Sequence, residues 1–209
     1  MVTESLSSIE NWLASHAPRI LNESLNPGAL ESELAELEAA IGRPLPDDYQ
    51  ALYRWHNGLN WEADNNGSFC YGMSFLPLAE VLAGYRSQAA QTLTSPLLQA
   101  APTLKPEVLQ NPLWLRLGFD GSHGWLCLDL DPTPTGDYGQ VIYLDEIDEV
   151  GFRVAASVAE LLSTFAHDLE QGLYQLDEEA LEDEDEFLVP QPLIDLNNWE
   201  QANRWQNAL

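Results

Sequence analysis

The chain has 209 residues, which fits one domain with extensions, and its 45% hydrophobic and 10% aromatic content is enough apolar side chain to bury a core. Its 34 Asp and Glu face only 8 Lys and Arg, a formal net charge of −26. So few cations cannot replace the counterions of a phosphate backbone, so the balance argues against nucleic acid and anionic membrane surfaces as partners and favours a basic protein.

Eight of the acids fall in the ten residues from Asp177 to Glu186, and setting them aside still leaves 26 acids against 8 bases. The acidity therefore belongs to the whole chain. Cys70 and Cys127 sit among apolar residues, as buried reduced thiols do in a cytoplasmic protein. No secretory signal and no apolar run of membrane-spanning length is visible.

In chain order, Ser7-Ser8-Ile9-Glu10 has the form of a capping box and predicts a helix start, with Leu6, Ile9, Trp12 and Leu13 as its apolar stripe and Pro18 as its end. Asn26 and Pro27 predict a second helix start. Leu30, Leu34, Leu37 and Ile41 recur at helical spacing, and Gly42 closes the element. A third helix opens at Pro46-Asp47-Asp48, carries Tyr49, Leu52, Tyr53 and His56 on one stripe, and stops at Asn57-Gly58. A loop over 59–68, a strand over 69–75, a helix through Tyr85 to Ala90 and an irregular stretch from Thr92 to Pro112 are expected next.

Alternation then predicts strands over 113–119, 124–130 and 140–144, the first two joined at Asp120-Gly121. Ser157-Val158-Ala159-Glu160 is a second capping box, followed by the stripe Val158, Leu161, Leu162, Phe165 and Leu169. Helices, then strands, then a helix describe an α+β fold: a mixed, largely antiparallel sheet packed against several helices in a single domain. The expected organisation is an N-terminal helical extension (1–29), a core domain (30–174) and an acidic C-terminal tail (175–209). The acidic block should be solvated, and Trp199 and Trp205 should pack back on the core or form a short helix that docks on a partner.

The sequence has no glycine-rich phosphate loop and no nucleophile elbow, and His16, His56, His123 and His167 are scattered. No catalytic residue, metal ligand set or cofactor is assigned. Asp120, His123, Asp129, Asp131 and Asp137 share one hairpin and its loop, where carboxylates beside an imidazole could hold a hard cation or do acid–base work. Acids at turns more often bind backbone amides. The same five residues, with Trp55, Trp61, Trp199 and Trp205, are the candidate protein-binding residues, because exposed tryptophans anchor interfaces.

Two segments carry a family resemblance. One runs Leu37-Glu38-x-x-Ile41-Gly42-Arg43-x-Leu45-Pro46-x-Asp48-Tyr49 through Asn57-Gly58. The other runs Trp114, Asp120-Gly121, Leu126-Cys127-Leu128-Asp129-Leu130-Asp131-Pro132, Gly136 and Gly139-Gln140-Val141-Ile142, and the core closes on Phe165-x-x-Asp168-Leu169-Glu170-x-Gly172. Over about residues 30–174 the chain resembles the SUKH superfamily, which includes the Smi/Knr cell-wall assembly regulators and bacterial immunity proteins. The chain departs from the regulator-like branch at Arg116, where that branch often has proline, and at Ser122-His123, where its turn is richer in glycine. The resemblance implies an α+β domain without known enzymatic activity. It implies an immunity-type protein that occludes a basic toxin, possibly a nuclease, or alternatively a regulatory scaffold related to cell-wall assembly.

Overall fold

The structure is a computed structural model and describes residues 2–91 and 95–209. Leu6, Ile9 and Leu13 are buried on one stripe of the first helix, α1 (Val2–His16), and Val2 packs partly against the core on the same stripe. That stripe explains why the helix begins at Val2, ahead of the capping box, and leaves Ser7 and Glu10 inside it. A wide π-helical turn follows at Ile20–Ser24.

The second helix, α2 (Glu31–Ile41), starts four residues after Pro27 and not at it. Asn26 is engaged elsewhere: its side-chain amide donates to the carbonyls of Asn57 (3.1 Å) and Leu59 (2.9 Å). The Glu33 carboxylate instead accepts from the Leu30 amide at 2.7 Å. Gly42 ends α2 in the left-handed conformation, φ 66°.

Helix α3 (Asp47–Trp55) buries Tyr49, Leu52 and Tyr53 and runs into the Asn57-Gly58 corner. There Asn57 caps the next helix, α4 (Leu78–Ala89), by accepting from the Leu78 amide at 2.9 Å. Of the strand expected over 69–75, only β1 (Ser74–Phe75) forms. Tyr71 has a φ of 59°, and residues 70–72 make a tight turn.

Residues 92–94 of the stretch expected to be irregular lie outside the described residues. The rest of that stretch is irregular except for a two-residue strand, β2 (Gln99–Ala100). Strands β3 (Trp114–Phe119), β4 (Gly124–Asp129) and β5 (Gln140–Asp145) form the predicted antiparallel meander. A fourth member, β6 (Val150–Ala155), was not anticipated. The turn before it carries Glu149 at a φ of 54°, where sequence rules look for glycine or asparagine.

The sheet order is β1-β3-β4-β5-β6-β2, antiparallel except for β2 alongside β6. Leu126 and Leu128 face the helical side with Leu117, and Leu52, Leu161 and Leu162 approach from α3 and the last core helix, α5 (Val158–Glu170). Leu97 and Leu104 lie close to Gly151 and Leu144, so the 95–112 segment lies over the sheet by β5 and β6. Every residue of β5 is buried as a result. Ser157 caps α5 as the second capping box predicts, its hydroxyl accepting from the Glu160 amide at 3.2 Å.

Beyond α5 the chain stays attached. Strands β7 (Tyr174–Leu176) and β8 (Leu188–Pro190) pair antiparallel, with a short helix, α6 (Glu178–Glu182), between them. The acidic block is not wholly solvated. Helix α6 buries no residue, but the Glu186 carboxylate accepts from the amides of Arg19 (2.7 Å) and Ile20 (3.3 Å). The next residues are stitched to the 65–68 loop, where the Ser68 hydroxyl bonds both the amide and the carbonyl of Leu188 at 2.8 Å.

Candidate functional site

Strand β4 separates the carboxylates and imidazole that sequence brings together. Its six residues span roughly 17 Å. Asp120 and His123 lie at one end of the strand, and Asp129, Asp131 and Asp137 at or beyond the other. The five residues therefore do not form one cation or acid–base centre. Among the described residues, no group of three or more His, Cys, Asp or Glu is placed to hold a metal ion.

At the far end the acids are tied into loop geometry. Asp129 is buried and accepts from the Gln140 side chain and the Asp131 amide, both at 2.8 Å. Burial pushes its carboxyl up to about 6, and the hydrogen bonds from Gln140 and Asp131 limit the rise. Asp129 thus presents no surface to a partner, which corrects its place among the binding candidates. Asp131 pairs with Lys105 at 2.7 Å and Arg43 at 3.9 Å, and Arg43 also donates to the Leu130 carbonyl at 2.6 Å. Asp137 pairs with Arg153 at 2.9 Å. These contacts hold the 129–140 loop closed, with Gly139 at a φ of 85° against Pro46.

The near end is built differently. Asp120 folds the β3–β4 turn by accepting from the amides of Ser122 (2.7 Å) and His123 (2.9 Å). His123 stands 3.4 Å from Asp145, which in turn accepts from the amides of Ile147 and Asp148. Arg116 pairs with Glu146 at 2.5 Å and lies 3.8 Å over the Trp125 ring. The Tyr143 hydroxyl is buried and has no hydrogen-bond partner among the described residues. Burial and the charges of Asp145, Asp120, Asp195 and Asp148 push its pKa up, so it remains protonated. Sequence reasoning missed Tyr143, Asp145 and Ile147. The Asp145-Glu-Ile-Asp-Glu149 run was a visible signal, but without β6 it could not be read as a hairpin tip.

The four tryptophans divide. Trp61 is 52% exposed and donates to the Glu80 carboxylate. Trp55 is half-buried and donates to Glu10 at 3.1 Å. Trp199 packs partly on Phe152, with ring centroids 5.5 Å apart. Trp205 is only 6% exposed, packs tilted against Phe152 and edge-to-face with Tyr71, and donates to the Ile194 carbonyl at 3.0 Å. It is a core residue, and this corrects its place among the binding candidates: its ring fills space that the sheet and α5 leave open.

All eight arginines and lysines are in ion pairs within the protein: Arg19 with Glu23, Arg43 and Lys105 with Asp131, Arg54 with Glu31, Arg86 with Glu36, Arg116 with Glu146, Arg153 with Asp137 and Arg204 with Asp168. Most of the excess carboxylates face solvent, Asp129 and Asp145 being buried exceptions.

These features define an α+β domain with an open sheet, whose inward polar residues serve loop and tail geometry. The chain belongs to the SMI1 / KNR4 family (SUKH-1), whose family model matches residues 28–164. It is 26% identical over 193 residues to the cell wall biosynthesis/cell cycle regulator smi1 of Schizosaccharomyces pombe, covering 85% of this chain and 38% of that protein. It is 24% identical over 217 residues to the glucan synthesis regulatory protein of Neurospora crassa (87% and 41%). It is also 24% identical over 216 residues to the cell wall assembly regulator SMI1 of Saccharomyces cerevisiae (86% and 42%). The chain thus spans about two fifths of the length of these relatives. Among the described residues no helix is long and apolar enough to cross a membrane.

Proposed function

We propose that this protein is a regulatory docking module, related in role to cell-wall assembly regulators, that acts by binding a basic protein and not by catalysis. One observation carries the reading: every arginine and lysine is in an ion pair within the protein, so the unpaired charge that an approaching partner meets is carboxylate. Such a surface steers cationic partners and repels polyanions. The names of the relatives support the regulatory half of the reading. None of the three is named as an immunity protein, so toxin occlusion is set aside in favour of the regulatory alternative.

The test is a deletion of the gene in its own host, combined with crosslinking capture of the tagged chain at two ionic strengths. The expected outcome is altered sensitivity to wall stress, with a basic protein captured at low salt and released at high salt. A normal wall response in the deletion strain removes the cell-wall assignment. Capture that is indifferent to salt removes the electrostatic one.

A further inference from the structure

The β5–β6 hairpin tip has a composition found at no other described turn of this sheet. Ile147 stands 70% exposed at its apex, between Glu146 and Asp148. Leu98, 72% exposed, adjoins the same hairpin at Glu149, its amide donating to the Glu149 carbonyl at 2.7 Å. Two bare aliphatic side chains on a rigid, hydrogen-bonded tip cost free energy in water and gain it when covered.

The rim around them is acidic, and only one of its carboxylates is paired with an arginine or lysine among the described residues. Glu146 is neutralised by Arg116, and Asp145 has only His123 at 3.4 Å. Asp120 accepts from backbone amides, and Asp195 from the Asn197 amide (2.9 Å) and the Asn198 side chain (2.7 Å). None of Asp120, Asp145, Asp148, Glu149 and Asp195 is in an ion pair with an arginine or lysine among the described residues. At the opposite end of the same strands, Lys105, Arg43 and Arg153 neutralise the corresponding acids. A buried polar group also lies under this end. The buried Tyr143 hydroxyl lies at the Gly124 backbone together with the Asp120 carboxylate; a Cβ on Gly124 would stand 2.8 Å from the first and 2.7 Å from the second. The hydroxyl donates to none of the surrounding carboxylates, so the rim is not quenched from beneath.

We infer that this tip is the docking surface for a basic amphipathic segment of a partner protein, whose aliphatic side chains cover Ile147 and Leu98 while its arginines or lysines meet Asp120, Asp145, Asp148 and Asp195. The inference rests on the docking reading above and gives it a location. Helix α6 is the competing acidic surface. It has one exposed leucine, Leu181, on five residues, and the Arg19 guanidinium already faces the acids that follow it.

The test is a titration of the isotope-labelled full chain with a short peptide of alternating arginine and leucine, followed through backbone amide shifts at low salt. Amides of 145–149, Leu98 and 120–124 are expected to move first. Ile147→Ser is expected to weaken binding about tenfold, Ile147→Leu to preserve it, and replacement of the peptide's leucines by serine to abolish the preference for the tip. Because Ile147 is exposed, neither variant disturbs the core. Shifts spread evenly over the tip and α6, or wild-type affinity in Ile147→Ser, would overturn this surface. Leucine-dependent binding centred on another patch would also overturn it while leaving the docking reading intact. Absence of binding anywhere at low salt would count against both.

Discussion

Arg204 grips Asp168 through two parallel N–H donors, one of them 2.8 Å from its carboxylate oxygen, and so closes a link across 36 residues between the tail and helix α5. Asp168 is 1% exposed, whereas a quarter of the Arg204 side chain remains in water. The neighbouring carboxylate raises the Arg204 pKa further, so the guanidinium stays charged at any ordinary pH. Together with Trp205 over Phe152 and Tyr71, it makes the tail part of the core.

Breaking this pair from the arginine side leaves a buried carboxylate without a partner. Arg204→Ala is expected to cost about 2–3 kcal/mol, less than a fully buried pair because Arg204 is partly solvated. Asp168→Leu with Arg204→Met should recover most of the loss. Urea unfolding measures both, and limited proteolysis should show the 191–209 segment cut first in the single variant.

Removal of residues 177–209 would leave an intact core if the tail were an appendage, as a contact element outside the core would be. The burial of Leu188, Ile194, Leu196 and Trp205 predicts otherwise. Each large apolar side chain contributes roughly 1.5–3 kcal/mol when buried. The truncated chain should lose its cooperative thermal transition and bind a hydrophobic dye, as read by calorimetry and fluorescence.

Asp129 supplies a pH signature. Its folded-state carboxyl is raised from 3.8 to about 6, so folding favours its protonated form. Its contribution is fully present below about pH 4 and is lost as the pH rises through about 6. Relative to wild type, Asp129→Asn should therefore gain stability by about 2–3 kcal/mol between those limits. Urea midpoints of the two proteins across this range test it; a constant gap would contradict it.

Gly58 marks the corner on which α3, α4 and the 26–30 segment meet. Its φ is 72°, and a Cβ would stand 2.3 Å from the Pro77 nitrogen, which is backbone and cannot yield. Gly58→Ala is expected to cost about 3 kcal/mol or more. The same substitution at Gly84, in α4 with open space around it, should be neutral or slightly stabilising by thermal melt.

The two thiols should be silent in the folded state. Cys70 and Cys127 are buried, and burial pushes the Cys127 pKa up to about 12 and that of Cys70 higher still. A thiol reagent at neutral pH should react at the rate of unfolding and then titrate both.

Local chemistry decided much of this protein before any tertiary contact. Alternation placed Trp125, Cys127 and Asp129 opposite Leu126 and Leu128. The stripes of α2, α3 and α5 named most of their buried faces, Leu30 being an exposed exception ahead of α2, and Gly42, Gly58 and Ser157 marked element ends, because these signals depend on neighbours within a few residues. The ordered motifs of residues 37–58 and 114–142 were specific enough to carry the family. Asp168 stood out only as part of the motif that closes the core, and its partner was not visible.

What lay beyond reach depended on distant segments. Asn26 looked like a helix cap and instead serves Asn57 and Leu59. Asp120, His123, Asp129, Asp131 and Asp137 looked like one cluster because they are close in sequence, but an extended strand holds its ends far apart. Trp205 and Asp129 looked like surface candidates, and their burial follows from packing that no local pattern encodes. The acidity was plain in the composition. Only the folded chain shows that each of its cations is paired within the protein, leaving most carboxylates around the hairpin tip at Ile147 without an arginine or lysine among the described residues.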